Sequence, residues 1–161
     1  MTTTTKRTTV KTEKPLSIKV KRLHADARLP KYATDGSGAF DFYTPYNVYP
    51  SKLQHGKACL VPLGLAVEVP KGYVLKLYLR SSTAKNTPMR MANAVGIIDS
   101  DYRSEIGILL DTLKEYGEGY MKGERICQGI IEKVTPVTFV EVEELSETER
   151  GTGGYGSTGK A

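Results

Sequence analysis

No stretch of this chain sustains the 3.6-residue apolar period of an amphipathic helix. Apolar and polar residues instead alternate in short runs cut by glycine and proline. A strand with one buried face needs that two-residue period. The runs are Leu16 to Lys21, an aromatic stretch from Phe40 to Tyr43, Cys59 to Val69 broken by Pro62 and Gly64, and Tyr73 to Leu79. Ile106 to Leu110, Gly129 to Val134 and Val137 to Glu144 complete the set. Within the fourth run Tyr73, Leu75, Leu77 and Leu79 share one face, and Pro70-Lys71-Gly72 reads as the turn before it. One helical turn or two is expected after Ser81-Ser82, where a serine can cap the following N–H groups. The pattern predicts an all-β sandwich or barrel with at most one short helix.

A chain of 161 residues is long enough for one self-sufficient core and short for two domains. No apolar run reaches membrane-spanning length and no secretory core opens the sequence, so an intracellular, cytoplasmic protein with no membrane partner is expected. Cys59 and Cys127 sit in apolar runs far apart, and only His24 and His55 accompany them. Buried thiols are expected, and no structural zinc site. The net charge of +5 suggests nucleic acid until it is located. Residues 1–22 hold seven of the 23 Lys/Arg and one of the 18 acids, leaving a nearly neutral body. Residues 1–15, with six threonines between positions 2 and 9, are expected to form a disordered tail. No specific nucleic-acid binding is expected.

Five islands carry chemistry. The last twelve residues read R-G-T-G-G-Y-G-S-T-G-K-A, with five glycines that exclude a stable helix or interior strand. Arg150, Ser157 and Thr158 are phosphate-binding groups, and Tyr155 can stack on a base. A mobile flap over a nucleotide is one reading, and a frayed Gly/Ser tail is the bland one. Arg80-Ser81-Ser82-Thr83-Ala84-Lys85 puts an arginine and hydroxyls at the expected helix start. Ala92 to Arg103 (A-N-A-V-G-I-I-D-S-D-Y-R) brings Asp99, Asp101, Tyr102 and Arg103 to the end of an apolar run. A carboxylate there, partly buried, is a candidate general base, and Asn93 can read a pyrimidine edge. A D-S-D turn between strands explains the same residues. Lys122 to Gln128 reads as a turn feeding a strand, and Ala33 to Phe42 sets Asp41 among glycines.

In this order and at these spacings the islands resemble the homotrimeric deoxyuridine triphosphatases, over residues 16 to 160. G-I-I-D-S-D-Y-R at 96–103 and R-G-T-G-G-Y-G-S-T-G at 150–159 are the most specific matches. The resemblance implies a distorted jelly-roll-like β-barrel (β-clip) over residues 16–149, and a flexible flap over 150–161 closing the active site. It implies hydrolysis of dUTP to dUMP and pyrophosphate, with Asp99 activating the water that attacks the α-phosphate. That reaction limits uracil incorporation into DNA and supplies dUMP. Tyr102 would pack against deoxyribose, while Asn93 and the backbone through Gly96 and Ile98 would read uracil. Arg80, Ser81, Ser82 and Gln128 would contact phosphates. The flap would contribute Arg150, Gly153, Gly154, Tyr155, Gly156, Ser157 and Thr158. Mg²⁺ would be held mainly by substrate phosphates, with Asp41 as a water-mediated contact. A homotrimer with shared active sites is implied.

The sequence departs from the usual pattern in placing tyrosine at 155 and in the order Gly38-Ala39. Thr83 and Cys127 also stand where other residues are more usual. Two rival readings are a dCTP deaminase or bifunctional deaminase–triphosphatase of the same fold, and a nucleotide-gated regulator that binds a protein partner.

Overall fold

The computed structural model describes residues 15–154. The threonine-rich stretch before Pro15 and the last seven residues lie outside it. Nine strands form two antiparallel sheets, with one helix of six residues. The strands are β1 (Lys19–Arg22), β2 (Lys31–Tyr32), β3 (Phe40–Tyr43), β4 (Cys59–Glu68), β5 (Tyr73–Leu79), β6 (Met89–Met91), β7 (Gly96–Ile98), β8 (Ile106–Thr112) and β9 (Arg125–Lys133). The helix α1 (Ser81–Asn86) follows β5. One sheet has the order β1-β4-β8-β6 and the other β2-β3-β9-β5-β7. This is the mostly-β architecture the alternating runs predict, in the jelly-roll-like form the resemblance implies.

Period-two alternation builds the core. Leu63, Leu65 and Val67 of β4 and Ile106, Ile108 and Leu110 of β8 are buried in one sheet. Phe42, Leu75, Leu77 and Ile126 are buried in the other, within the same cluster. Each such side chain contributes roughly 1.5–3 kcal/mol by leaving water. Tyr73 and Leu79 flank Leu75 and Leu77 as expected, partly buried against that cluster. Gly64 bends β4: its φ is +69°, and an added Cβ would lie 2.9 Å from that of Ala27. The strand register shifts there, between Pro62 and Leu65.

Three details differ from the sequence reading. The expected strand over 137–144 does not form: Val137, Phe139, Val140 and Val142 are 55–94% exposed and unpaired. A strand exists only where another edge satisfies its N–H and C=O groups, and this segment pairs with neither sheet. The helix cap is Arg80, with no side-chain capping bond, so Ser81 and Ser82 are the first two helical residues instead. Thr87 is extended and Pro88 follows, which ends the helix. Cys127 is fully buried, whereas Cys59 is only half-buried.

Asp111 is 4% exposed, and its carboxylate accepts two hydrogen bonds from Arg90, at 2.6 and 2.9 Å. The Arg90 hydrogen bond holds its carboxyl below the ordinary 3.8, against the opposing effect of burial. A depressed folded-state value stabilises above the ordinary carboxylate range, and the gain is lost as pH falls through the folded value. Wild type will therefore exceed Asp111→Asn in stability at neutral pH, and the gap will narrow below pH 3.8. Urea midpoints measured between neutrality and pH 2.5 read this directly; a constant gap would remove Arg90–Asp111 from the acid sensitivity.

Candidate active site

Two groups of candidate residues lie at opposite ends of β5. At its C-terminal end, Asp41 on β3 stands opposite Gln128 on β9, which stands opposite Tyr78. Asp41 is buried, and its two oxygens take different cations. Arg80 Nε lies 3.0 Å from Oδ1 and Arg125 Nη1 lies 3.0 Å from Oδ2. Arg80 also donates to the carbonyl of Arg125 at 3.2 Å, and Gln128 Nε2 donates to the carbonyl of Leu79 at 2.9 Å. Two guanidiniums against one carboxylate leave this cleft positive. Ser81, half-buried Ser82, Ser37, Gly38 and Ala39 complete its walls. Gly38 is not in the left-handed region, and a Cβ there would meet open space. The Gly38-Ala39 order therefore has no steric consequence at that position.

At the N-terminal end of β5 lies the turn that carries Asp99. The Tyr102 N–H bonds the carbonyl of Asp99 at 3.2 Å. Arg103 donates to the carbonyls of Ser100 and Tyr102, at 2.7 and 3.0 Å. The Tyr102 hydroxyl donates to the carbonyl of Glu105 at 2.9 Å. Glu105 in turn accepts the N–H of Gly64 at 2.8 Å, which ties the turn to the β4 bulge. Asp99 is exposed rather than partly buried. It faces a cleft with Lys71, Lys76, Asp101 and Arg103.

Between the two groups lies the expected hairpin, β6–β7, whose two strands pair with other strands and not with each other. β6 pairs with β8 in one sheet and β7 with β5 in the other, so residues 92–95 cross from sheet to sheet. Ala94 at the tip has φ +59°, and Asn93 beside it is exposed. Gly96 lies against Leu77, where an added Cβ would sit 3.2 Å from that residue's own. The buried Ile98 closes the hairpin. Of the flap residues, Arg150, Gly153 and Gly154 are exposed; Arg150 accepts the N–H of Gly153 in a turn. Tyr155, Gly156, Ser157 and Thr158 lie outside the described residues.

One copy of the chain keeps these groups apart. Ile98 is opposite Leu75, which puts Asp99 beside Val74, six residues before Arg80 along β5. At the rise of a strand that is about 20 Å. The hairpin tip and the Arg80 cluster are at one end, and Asp99 is at the other.

No group of three or more His, Cys, Asp or Glu side chains among the described residues is placed to hold a metal. Both Asp41 oxygens are engaged by arginines, so a divalent cation there would sit between two guanidiniums. These residues do not fit a protein-held metal site. The sequence reading also passed over Arg125 and the Glu105–Gly64 link. The G-E-R motif pointed to Arg125, but nothing local pointed to Gly64 as the partner of Glu105, 41 residues away.

Comparison with known proteins adds three findings. The dUTPase family model matches residues 25–159. Proteins named deoxyuridine 5'-triphosphate nucleotidohydrolase from Helicobacter pylori (strain 26695) and Caulobacter vibrioides (strain NA1000) are 38% and 40% identical over 144 and 148 residues. Each alignment spans 89% of this chain, with 97% and 95% of the relative. The Staphylococcus bacteriophage 80alpha dUTPase, solved with dUpNHpp, superposes with a TM-score of 0.73 at 25% identity, over 89% of this chain and 99% of that one. A mutant dUTPase of S. aureus phage phi11, whose structure concerns a structural Mg(II) ion, shares the fold at a TM-score of 0.67 and 20% identity, over 80% of this chain and 98% of that one.

Replacing Asp41 with alanine leaves Arg80 and Arg125 facing each other without the carboxylate between them. After allowance for the half-exposed Arg125, the expected loss is about 1–2 kcal/mol. Urea unfolding of Asp41→Ala at neutral pH measures it; an unchanged midpoint would show that the bridge carries no stability.

Proposed function

This chain belongs to the dUTPase family, and from that premise we propose that it hydrolyses dUTP to dUMP and pyrophosphate, with its own residues in the following roles. The observation that supports this best is the positive cleft of Arg80, Arg125, Ser81, Ser82 and Gln128 organised around Asp41. Cations with hydroxyls and a carboxamide suit a polyphosphate. The deaminase reading has no comparable support, since relatives spanning most of the chain are named nucleotidohydrolases.

Asp99 takes the proton of a water that attacks the α-phosphorus. The bond to the bridging oxygen breaks, and pyrophosphate leaves carrying that electron pair. The exposed ring of Tyr102, fixed through its hydroxyl, forms the wall against deoxyribose that leaves no room for a 2′-hydroxyl. Asn93 and the backbone through Gly96 and Ile98 pair with uracil in a hairpin too narrow for thymine. Arg150, Gly153, Gly154, Tyr155, Gly156, Ser157 and Thr158 close over base and phosphates, exclude water and strengthen every charge interaction inside. Mg²⁺ enters as part of the substrate, bound to its phosphates, and Asp41 serves to orient the two arginines. Residues 16–149 are the β domain, residues 150–161 the flap, and residues 1–15 a tail outside the catalytic unit. The products place the protein in nucleotide metabolism, keeping uracil out of DNA and supplying dUMP inside the cell.

The working form is a homotrimer with shared sites. Asp99 and the Arg80 cluster of one copy are about 20 Å apart, so a compact site draws them from different copies. Residues 134–149 are exposed throughout, with Phe139 at 94% and Leu145 at 88%. Val67, Phe40, Ile131, Leu29 and Tyr32 line an apolar groove. A neighbouring copy satisfies both, and carries the flap to a site whose other groups belong elsewhere.

Asp99→Asn will lower kcat by about 10²–10⁴-fold with nucleotide affinity nearly unchanged; near wild-type turnover would remove Asp99 as the base. A chain ending at Glu149 will stay folded and lose most activity, because residues 150–154 make no contact that packing needs. Unfolding and refolding the two inactive variants together will regenerate pyrophosphate release from dUTP. Mixed oligomers that stay inactive, while wild type recovers through the same procedure, would mean that Asp99 and the flap act within one copy.

A further inference from the structure

The helix α1 has little of its own to hold it. It is six residues long and has no side-chain cap. Helices this short do not persist in isolation, yet α1 carries Ser81 and Ser82 directly behind Arg80. Its third residue is the anchor. Thr83 is fully buried, and its hydroxyl lies 2.5 Å from the hydroxyl of Tyr120.

The usual alternative for a helical threonine, a bond to the carbonyl four residues back, is not made. That carbonyl belongs to Leu79 and accepts Gln128 Nε2. Tyr120 is itself held at both backbone groups. Its N–H bonds the carbonyl of Val48 at 2.7 Å, and its carbonyl accepts the N–H of Val48 at 2.8 Å. It is 8% exposed, and burial raises the pKa of its phenol, so the O–H is retained at neutral pH.

Building on the dUTPase reading above, we propose that Thr83 and Tyr120 are positioning residues whose hydroxyl pair sets the height and rotation of the Arg80–Ser82 segment toward the triphosphate. Neither touches substrate. Their bond fixes the segment from beneath, while Asp41 and the Arg125 carbonyl fix Arg80 from the side. The β8–β9 loop that carries Tyr120 is thereby coupled to phosphate binding, a role that its sequence does not display.

The test uses Tyr120→Phe, Thr83→Val, the double variant and Thr83→Ser in the full chain. Steady-state kinetics on dUTP are read beside amide hydrogen exchange at residues 81–84. Tyr120→Phe and Thr83→Val should each raise KM about three- to tenfold with kcat little changed. Exchange at 81–84 should quicken in both. The double variant should be no worse than the worse single one, because both remove the same bond, and Thr83→Ser should retain wild-type values. Unchanged KM and unchanged exchange, even with a lower Tm, would overturn the proposal and leave the pair as packing. A wild type inactive on dUTP would defeat the dUTPase reading, while exchange would still decide whether the bond orders the segment.

Discussion

A single buried carboxylate joins three strands at the positive cleft proposed to take phosphate. Asp41 on β3 holds Arg80 from the end of β5 and Arg125 from the start of β9, one oxygen to each. β9 is the middle of its sheet, paired to β3 on one side and β5 on the other. The bridge therefore closes across the central strand. Arg80 is held at Nε and Nη1 and Arg125 at Nη1, so the clamp aims both arginines and leaves further N–H donors on each. An anion arriving there finds the charge already oriented, and little reorganisation is left to oppose its binding.

The other half of the chemistry is built on the opposite principle. Asp99 sits on a turn bolted by Arg103, by the Tyr102 hydroxyl and by the Glu105 link to Gly64, yet the carboxylate is open to solvent. A rigid exposed acid is poorly placed for catalysis alone, since water screens it. It becomes useful when another surface closes over it. The long exposed arm and the apolar groove are the same incompleteness expressed in packing. Fold and chemistry thus support the proposed homotrimer on one ground: a single copy is finished only at its core.

The fold class was legible because period-two alternation is a local signal. The β5 face of Tyr73, Leu75, Leu77 and Leu79 follows from it directly. Val137 to Glu144 carries a similar pattern and yet forms no strand, because periodicity reports what a segment can bury, not whether an edge is available. The candidate site was legible as residue types in order, since R-S-S, D-S-D-Y and the glycine-rich end are contiguous in sequence. Distance was not. Nothing in the string separates Asp99 from Arg80 by the length of β5, and nothing pairs Asp41 with two arginines 39 and 84 positions away. Long-range ion pairs and carboxylate–amide bonds such as Glu105 to Gly64 leave no periodic trace.

The division of labour along β5 has a mechanical consequence. The strand is paired on both sides, with β9 along its whole length and with β7 along its middle, and its core residues Leu75 and Leu77 are almost fully buried. It is among the stiffest elements of the molecule and has one site component at each end. In the proposed homotrimer, a displacement at one cleft would be carried through such a strand to the next with little loss, because a packed sheet deforms less readily than the loops attached to it. The rigid strand thus sets the distance of about 20 Å between the two clefts of one copy.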